Sequence, residues 1–258
     1  MVRNLSNRFR YAAKWALGHL LVCLVVALIS SAIVFGVWYP DPWQKMLGVS
    51  SIFMLVVIAD VVCGPLLTMV LVSPHKSRRE RWLDLSLIAI IQVAALGYGL
   101  YSTFSARPVA LVFEVDRFFI VTANEVQFEE LPKALPPFRQ LSWFGPVTMG
   151  LRESASSNEY LESLDKTLHG VSQAMRPDWW IPYKNAKASV LARSLPLADL
   201  LAKRPDQREV LIEAASRTGI SVEHLRFVPL TSSKRLDWIV LLSESGVLAG
   251  YVPVDGFY

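Results

Sequence analysis

Three long apolar stretches dominate the first 106 residues, and a more evenly mixed sequence follows them. Residues 15–39 carry no Asp, Glu, Lys or Arg, residues 46–75 carry only Asp60, and residues 85–106 carry none. A helix needs about 20 mostly apolar residues to cross a bilayer. The pattern therefore predicts three transmembrane helices, at about residues 15–39, 47–73 and 83–104.

The sequence after Arg107 has the mixed pattern of a small soluble domain. Short β-rich runs predict strands at its beginning and at its end, over 108–115, 118–121, 225–230, 238–242 and 247–252. Two longer segments between them predict helices, Ser156 to Met175 and Leu197 to Thr218. We expect the second helix to break at Arg204-Pro205 and to end at Gly219. Strands at both ends with helices between them indicate an α+β domain.

Two details of this domain are also expected from the pattern. Thr122 and Glu125 have the spacing of a capping box and predict a short helix as far as Leu131. In the helix that begins at Ser156, the apolar residues recur at helical spacing and predict one apolar side, formed by Tyr160, Leu161, Leu164, Leu168, Val171 and Met175.

The charge distribution predicts the orientation of the chain. The whole chain has a net charge of +4, but the positive excess lies beside the apolar stretches, in the N-terminal segment and in the loop 74–81. The first loop, 40–45, is not basic, so the positive-inside rule places the N-terminus in the cytoplasm and the C-terminal domain outside. The resulting fold class is three transmembrane helices (1–106) followed by a small extracytoplasmic α+β domain (107–258). The soluble part has no basic surface that indicates a nucleic acid partner.

Asp60 lies near the middle of the second apolar stretch. A carboxylate at that depth costs roughly 2.5–3.5 kcal/mol on insertion scales, and such residues usually face protein or water. Asp60, Gly64 and Thr68 follow each other at intervals of four and share one helix face, Pro65 should kink the helix, and Gln92 lies at a similar depth in the third stretch. Ser30 and Ser31 lie near that depth in the first stretch.

Three interpretations of this polar group remain open. In the first, the polar side chains form hydrogen bonds with one another inside a three-helix bundle, with Asp60 protonated or bonded to Gln92 and the serines. In the second, the group binds a helix of another membrane protein. In the third, it is a proton or ion site. Three spans without an internal repeat make a poor transporter. Helix binding is therefore favoured over transport.

The sequence contains no recognisable catalytic or cofactor motif. Its four histidines are far apart and have no Cys or His neighbour at metal-ligand spacing. It has neither a P-loop, a glycine-rich dinucleotide motif nor a nucleophile elbow. We therefore expect no metal, no cofactor and no enzymatic activity.

Two groups of residues after the third apolar stretch are candidate interaction sites. Arg107, Asp116 and Arg117 flank the first predicted strand and either bind a partner's juxtamembrane segment or form local ion pairs. Trp179 and Trp180 lie in a proline-flanked loop and suit a binding surface or a bilayer contact. Alternatively, one of these rings caps the small core.

The second apolar stretch resembles a known family. Asp60-Val61-Val62-Cys63-Gly64-Pro65-Leu66-Leu67-Thr68 is similar to the D-x-x-x-G-P-L-L-T signature of type IV pilin accessory proteins, the TfpX/TfpZ family. The likeness continues through Asp84-Leu85, Gln92, Arg107-Pro108-Val109 and residues 113–118. It covers nearly the whole chain.

The resemblance implies a bacterial inner-membrane protein with a periplasmic C-terminal domain that assists the assembly or surface display of type IV pili. Its partners would be the pilin, the pilus assembly machinery and membrane lipid. On this interpretation a groove near Asp60, Gly64, Pro65 and Gln92 holds the pilin helix, and the outer domain contacts the pilin head. The competing hypotheses are a membrane-anchored sensor subunit and an enzyme that modifies the pilin or an envelope polymer.

Overall fold

Three helices long and apolar enough to cross a membrane occupy Asn7–Trp38, Val49–Leu71 and Arg78–Ser105. They overlap the three predicted spans, although the first and third begin several residues earlier. Basic residues account for this difference, since helical structure continues through charged segments that a hydropathy pattern excludes. The first and second spans each contain a short π-helical segment, Val34–Trp38 and Ala59–Cys63.

The computed structural model describes the backbone of residues 2–258 and the side chains of residues 7–258. The α-helices in chain order are α1 (Val2–Ile33), α2 (Trp43–Leu47), α3 (Val49–Ile58), α4 (Gly64–Leu71), α5 (Arg78–Ser105), α6 (Ser157–Leu168), α7 (Tyr183–Arg193), α8 (Leu197–Lys203) and α9 (Arg208–Thr218). The strands are β1 (Pro108–Glu114), β2 (Arg117–Thr122), β3 (Val147–Leu151), β4 (Trp180–Pro182), β5 (Leu195–Pro196), β6 (Leu225–Thr231), β7 (Trp238–Ser243) and β8 (Leu248–Val252).

The chain forms two compact units, and the first loop belongs to the second of them. The first unit contains the chain up to Trp38 together with Gly48–Ser105, and the second contains Tyr39–Leu47 and Ala106–Tyr258. In the second unit Trp43 packs against Tyr251, with 4.7 Å between the ring centroids. The first loop and the C-terminal domain therefore share a core and lie on one side of any membrane that the three helices cross.

The C-terminal domain is built on a mixed sheet with the strand order β4-β3-β1-β2-β6-β7-β8, and β5 pairs with β6. β1 pairs with β3 and β2 with β6 in parallel, and the remaining pairs are antiparallel. The predicted strands at both ends of the domain are thus neighbours in one sheet. The short strands β3, β4 and β5 and the helix α7 were not predicted, because they have little apolar periodicity.

Both faces of this sheet are covered. On one face Leu111 and Phe113 pack with Ile120, Val228 and Val240, and the loop residues Trp43 and Met46 complete this cluster. The opposite face carries two further clusters, one beside β1 and β3 and one beneath α8 and α9. Successive strand residues point to opposite faces, so a strand buried on both sides consists almost entirely of apolar residues.

Two predicted details of the domain are wrong. The capping box of Thr122 and Glu125 forms, but it begins a 3-10 turn, Ala123–Glu125, that does not continue to Leu131. The helix from Ser156 ends at Leu168 rather than Met175, since Gly170 adopts a φ of +90° that redirects the chain. The apolar side of that helix is exposed, with Leu161 and Leu168 at 61% and 79% exposure.

Candidate functional site

A polar group connects the second and third long helices where the second one departs from α-helical geometry. The side-chain amide of Gln92 donates to Asp60 Oδ1 at 2.7 Å and to the Asp60 backbone carbonyl at 3.1 Å. Asp60 lies in the π-helical segment Ala59–Cys63, just before Pro65. Because proline has no N–H, the α-helical bond to residue 61 is absent. The Asp60 carbonyl accepts from the N–H of Gly64 and, with its second lone pair, from the side chain of Gln92.

Gly64 makes this arrangement possible because it leaves space for Gln92. A Cβ atom at residue 64 would lie 2.7 Å from both Cδ and Oε1 of Gln92, closer than real Cβ contacts. Gly64 is buried in the present structure. Gly64 therefore admits a side chain from α5.

The first helix joins the same group through two residues that the sequence analysis did not select. His19 Nδ1 and Thr68 Oγ1 are 2.6 Å apart, and Gln92 Nε2 lies 3.5 Å from the sulfur of Cys23. Thr68 is fully buried. As a polar residue within an apolar span, His19 carries the same sequence signal as Gln92.

Ser31 of the first helix takes a different role from the one expected. Ser31 Oγ donates to the carbonyl of Ala27 in its own helix at 2.7 Å. Among the contacts described for α1, those to the polar group come from His19 and Cys23. The expected meeting of the serines with Asp60 and Gln92 is thus replaced by contacts nearer the N-terminal end of α1.

The predicted face of the second helix is therefore mostly used within the bundle. Gly64 contacts Gln92 of α5, and Thr68 contacts His19 of α1, as expected for internal packing. Asp60 differs because it remains partly exposed despite its bond to Gln92. Cys63, in the same π-helical segment, is exposed, so the surface beside Asp60 is open to a further helix or to lipid.

The residues expected to contact partners at the start of the outer domain form local contacts. Arg117 pairs with Asp116 at 2.7 Å and lies over the ring of Phe257, 4.7 Å from its centroid. Arg107 is buried and donates to the carbonyl of Ser142 at 3.1 Å, and burial lowers the pKa of its guanidinium. The contacts of Arg117 and Asp116 match the local ion-pair alternative.

Trp179 and Trp180 are not on the surface, and the expectation that they are exposed is wrong. Trp179 is 1% exposed and Trp180 is 2% exposed. Trp180 donates from its indole nitrogen to the carbonyl of Ala174 at 2.8 Å, and Trp179 lies beneath the guanidinium of Arg152, 4.4 Å from the ring centroid. The adjacent aromatic residues thus complete the core.

A charged cluster surrounds Trp179. Arg176 is 6% exposed and pairs with Asp178 at 3.3 Å and with Glu130 at 3.5 Å. Burial and a hydrogen bond with Glu130 raise the pKa of Asp178 to about 6. The same hydrogen bond lowers the pKa of Glu130, so the two carboxyl groups share a proton between them in mildly acidic solution.

The C-terminal domain presents one helix whose apolar side has no cover within the described residues. Tyr160, Leu161, Leu164 and Leu168 of α6 are between 45% and 79% exposed. The helix begins with Ser156, whose hydroxyl accepts from the N–H of Glu159 at 3.2 Å. Contiguous exposed apolar surface of this kind is typical of a protein-binding site.

The described residues contain no group of three or more His, Cys, Asp or Glu side chains that could hold a metal ion.

The chain is similar over its full length to fimbrial assembly proteins. It is 36% identical over 253 residues to the fimbrial assembly protein of serogroup I from Dichelobacter nodosus, covering 98% of both chains. It is 37% identical, with the same coverage, to the serogroup E1 protein. It is 45% identical over 129 residues to the protein of serogroups C1 and C2, and these residues are half of this chain and 98% of that protein. No solved structure shows significant similarity to the chain.

A family model described as fimbrial assembly protein FimB also matches residues 7–48, which contain the first long helix and the loop that packs into the C-terminal domain. The family that this match indicates agrees with the one indicated by the type IV pilin accessory signature around Asp60. Full-length identity above one third to several such proteins, together with this match, makes the chain a member of the fimbrial assembly protein family.

Proposed function

We propose that the protein assists type IV pilus assembly in the bacterial inner membrane by binding the transmembrane helix of the pilin beside Asp60. The observation that carries this proposal is the partial exposure of Asp60, although Gln92 already donates to it. A carboxylate that faces lipid is costly, and a polar or small-residue helix that covers it removes that cost. A pilin subunit in the inner membrane would present such a helix.

The orientation in this proposal follows from the positive-inside rule. The basic N-terminal segment and the loop 74–81 face the cytoplasm, and the C-terminal domain lies in the periplasm. The shared core of the first loop and the C-terminal domain supports this arrangement, because it requires both to be on the same side. In this orientation the transmembrane helices of the protein contact the pilin helix, and its periplasmic domain contacts the same pilin outside the membrane.

The periplasmic contribution is assigned to α6. Its exposed leucines form an apolar strip, and its other faces carry Glu159, Glu162 and Asp165 against one lysine, Lys166. An acidic helix is repelled by the anionic surface of a bilayer. A protein partner therefore suits this face better than lipid, and the pilin head is the partner that the family membership favours. The role is one of binding, with no catalytic step.

The test is site-specific photo-crosslinking from residue 63 in cells that express the pilin. Cys63 is exposed and follows Asp60 by three residues. Residue 55 provides the control, since Leu55 is 70% exposed on the same span. We expect a pilin adduct from residue 63 and little from residue 55. Adducts from both sites would indicate nonspecific contact, and adducts only to the protein itself would contradict the proposal.

A further inference from the structure

A cleft of about 220 Å³ lies between the first and third long helices at the end of the bundle that carries the N-terminus. Trp15 of α1 lines one side, and Arg78, Arg81, Trp82 and Leu85 from the first turns of α5 line the other. Typical small-molecule pockets are about 300–1,000 Å³. The cleft is therefore large enough for a headgroup but small for a cofactor.

The cleft is positively charged because its lining contains Arg78 and Arg81 and no acidic residue. Asp84 pairs with Lys76 at 2.6 Å, and Glu80 accepts from the N–H of Ser77 at 2.8 Å. Among the described residues, the ion pairs include neither Arg78 nor Arg81. The N-terminal end of the 28-residue helix α5 adds the partial positive charge of its dipole.

Arg81 is held in place by the first helix. Its guanidinium donates to the hydroxyl of Tyr11 and lies over the Tyr11 ring, 5.7 Å from the centroid. This contact joins α1 to α5 at the edge of the cleft. A guanidinium fixed in this way still has donors left for a second acceptor, because arginine carries five N–H groups.

The position of the cleft along the helices corresponds to a membrane interface. Trp15 is the first residue of the uncharged run 15–39, and Trp82 directly precedes the third apolar stretch. Tryptophan is enriched at the level of lipid headgroups, and basic pockets between helices on the cytoplasmic side bind anionic headgroups. The lining thus combines charge for a phosphate with apolar surface for the lipid beneath it.

We propose that this cleft binds the phosphodiester headgroup of an anionic phospholipid. Arg78 and Arg81 donate to the phosphate oxygens, for which the planar guanidinium has matching geometry. Trp15 and Leu85 contact the glycerol and the first methylenes of the chains. A lipid bound there joins α1 to α5 and fixes the end of the bundle at which α5 begins. This inference requires the three helices to span a membrane, and it is independent of pilin binding.

The test measures lipid binding to the purified, delipidated full-length protein in a neutral detergent by native mass spectrometry. The probes are short-chain phosphatidylglycerol, short-chain phosphatidylcholine and inorganic phosphate. Arg78→Gln removes a lining charge, and Arg79→Gln is the matched control because it removes the same charge one residue away, outside the lining residues. Arg78 has no protein ion pair among those described, so its substitution leaves the bundle intact.

We expect one phosphatidylglycerol per protein, an apparent affinity about tenfold weaker in Arg78→Gln and changed by less than about twofold in Arg79→Gln. Phosphatidylcholine should bind more weakly than phosphatidylglycerol. Equal losses in the two variants would show general surface attraction and overturn the proposal. Competition by inorganic phosphate at concentrations similar to those of the lipid would assign the cleft to free phosphate instead, and the absence of stoichiometric binding would also overturn it.

Discussion

The side-chain carboxamide of Gln92 packs against Gly64 and fills the volume that a Cβ atom at residue 64 would need. This contact places the Gln92 amide within 2.7 Å of the Asp60 carboxylate. The two residues belong to different helices, 28 positions apart. Their fit explains why a glycine stands next to a proline in the middle of an apolar span.

Gly64→Ala should therefore destabilise the helix bundle. Overpacking of a filled site costs about 1–3 kcal/mol, and the displaced Gln92 loses its bond to Asp60. The melting temperature in detergent measures the effect. Gly97→Ala is the control, since no atom lies within 4 Å of a Cβ there, and its melting temperature should equal or exceed that of the wild type. A harmless Gly64→Ala would contradict the packing described here.

Asp60→Asn should weaken pilin association without removing the protein from the membrane. Asparagine keeps an oxygen that can accept from Gln92 but lacks the carboxylate that we propose the pilin helix covers. We expect the yield of the residue-63 crosslink to fall about tenfold, which corresponds to roughly 1.4 kcal/mol. Membrane fractionation and the melting temperature provide the controls. Normal piliation with Asp60→Asn would rule out a role for the charge.

Leu161→Ser combined with Leu168→Ser should reduce pilin binding at little cost in stability. Both side chains are exposed on α6, and surface substitutions usually change the free energy of unfolding by about 0.5 kcal/mol or less. Co-purification of pilin with the full-length protein is the measurement. Leu135→Ser, at a leucine that is 46% exposed outside α6, is the matched control. Unchanged pilin recovery would remove α6 from the proposed interface.

Val115→Gly should stabilise the outer domain. Val115 has a φ of +60° in the turn between β1 and β2, where a β-branched residue is strained by about 1–2 kcal/mol and glycine is not. The side chain is 72% exposed, so little packing is lost. We expect an increase of about 1 kcal/mol in unfolding free energy, measured by chemical denaturation. Val147→Gly, in the extended strand β3, should have the opposite effect.

The Asp178–Glu130 pair predicts a pH dependence of stability. Because burial raises the pKa of Asp178 to about 6, compared with about 3.9 in an unfolded chain, the folded protein binds this proton more tightly. The contribution of Asp178 to the free energy of unfolding is therefore at its maximum below about pH 4, and it is lost as the pH rises to about 6. The lowered pKa of Glu130 has the opposite effect: its contribution to the free energy of unfolding is lost as the pH falls below the ordinary glutamate range.

Asp178→Asn tests this pH dependence, because a side-chain amide does not titrate between pH 4 and pH 6. The melting temperature of the variant minus that of the wild type should become more positive between pH 4 and pH 6 and stay constant above that range. A difference of about 2–4 °C would correspond to 1 kcal/mol in a domain of this size. A difference that does not change with pH would show that Asp178 does not take up a proton in the folded protein.

The sequence by itself determined the elements whose residues carry their own pattern. The three long helices, the strands β1, β2, β6, β7 and β8, and the end of α9 at Gly219 follow from composition, alternation and capping. The polar centre at Asp60 and Gln92 was also predictable, because charged and amide side chains are conspicuous in an apolar span.

Only the tertiary structure decided what these elements face. The chemistry of α6 predicts an apolar side, but the contacts available to it leave that side exposed. Tyr39–Leu47 packs into a sheet more than 60 residues later in the chain, and His19 meets Thr68 across 49 positions. Such pairings depend on the free energy of long-range packing rather than on local propensity, so no spacing within one segment encodes them.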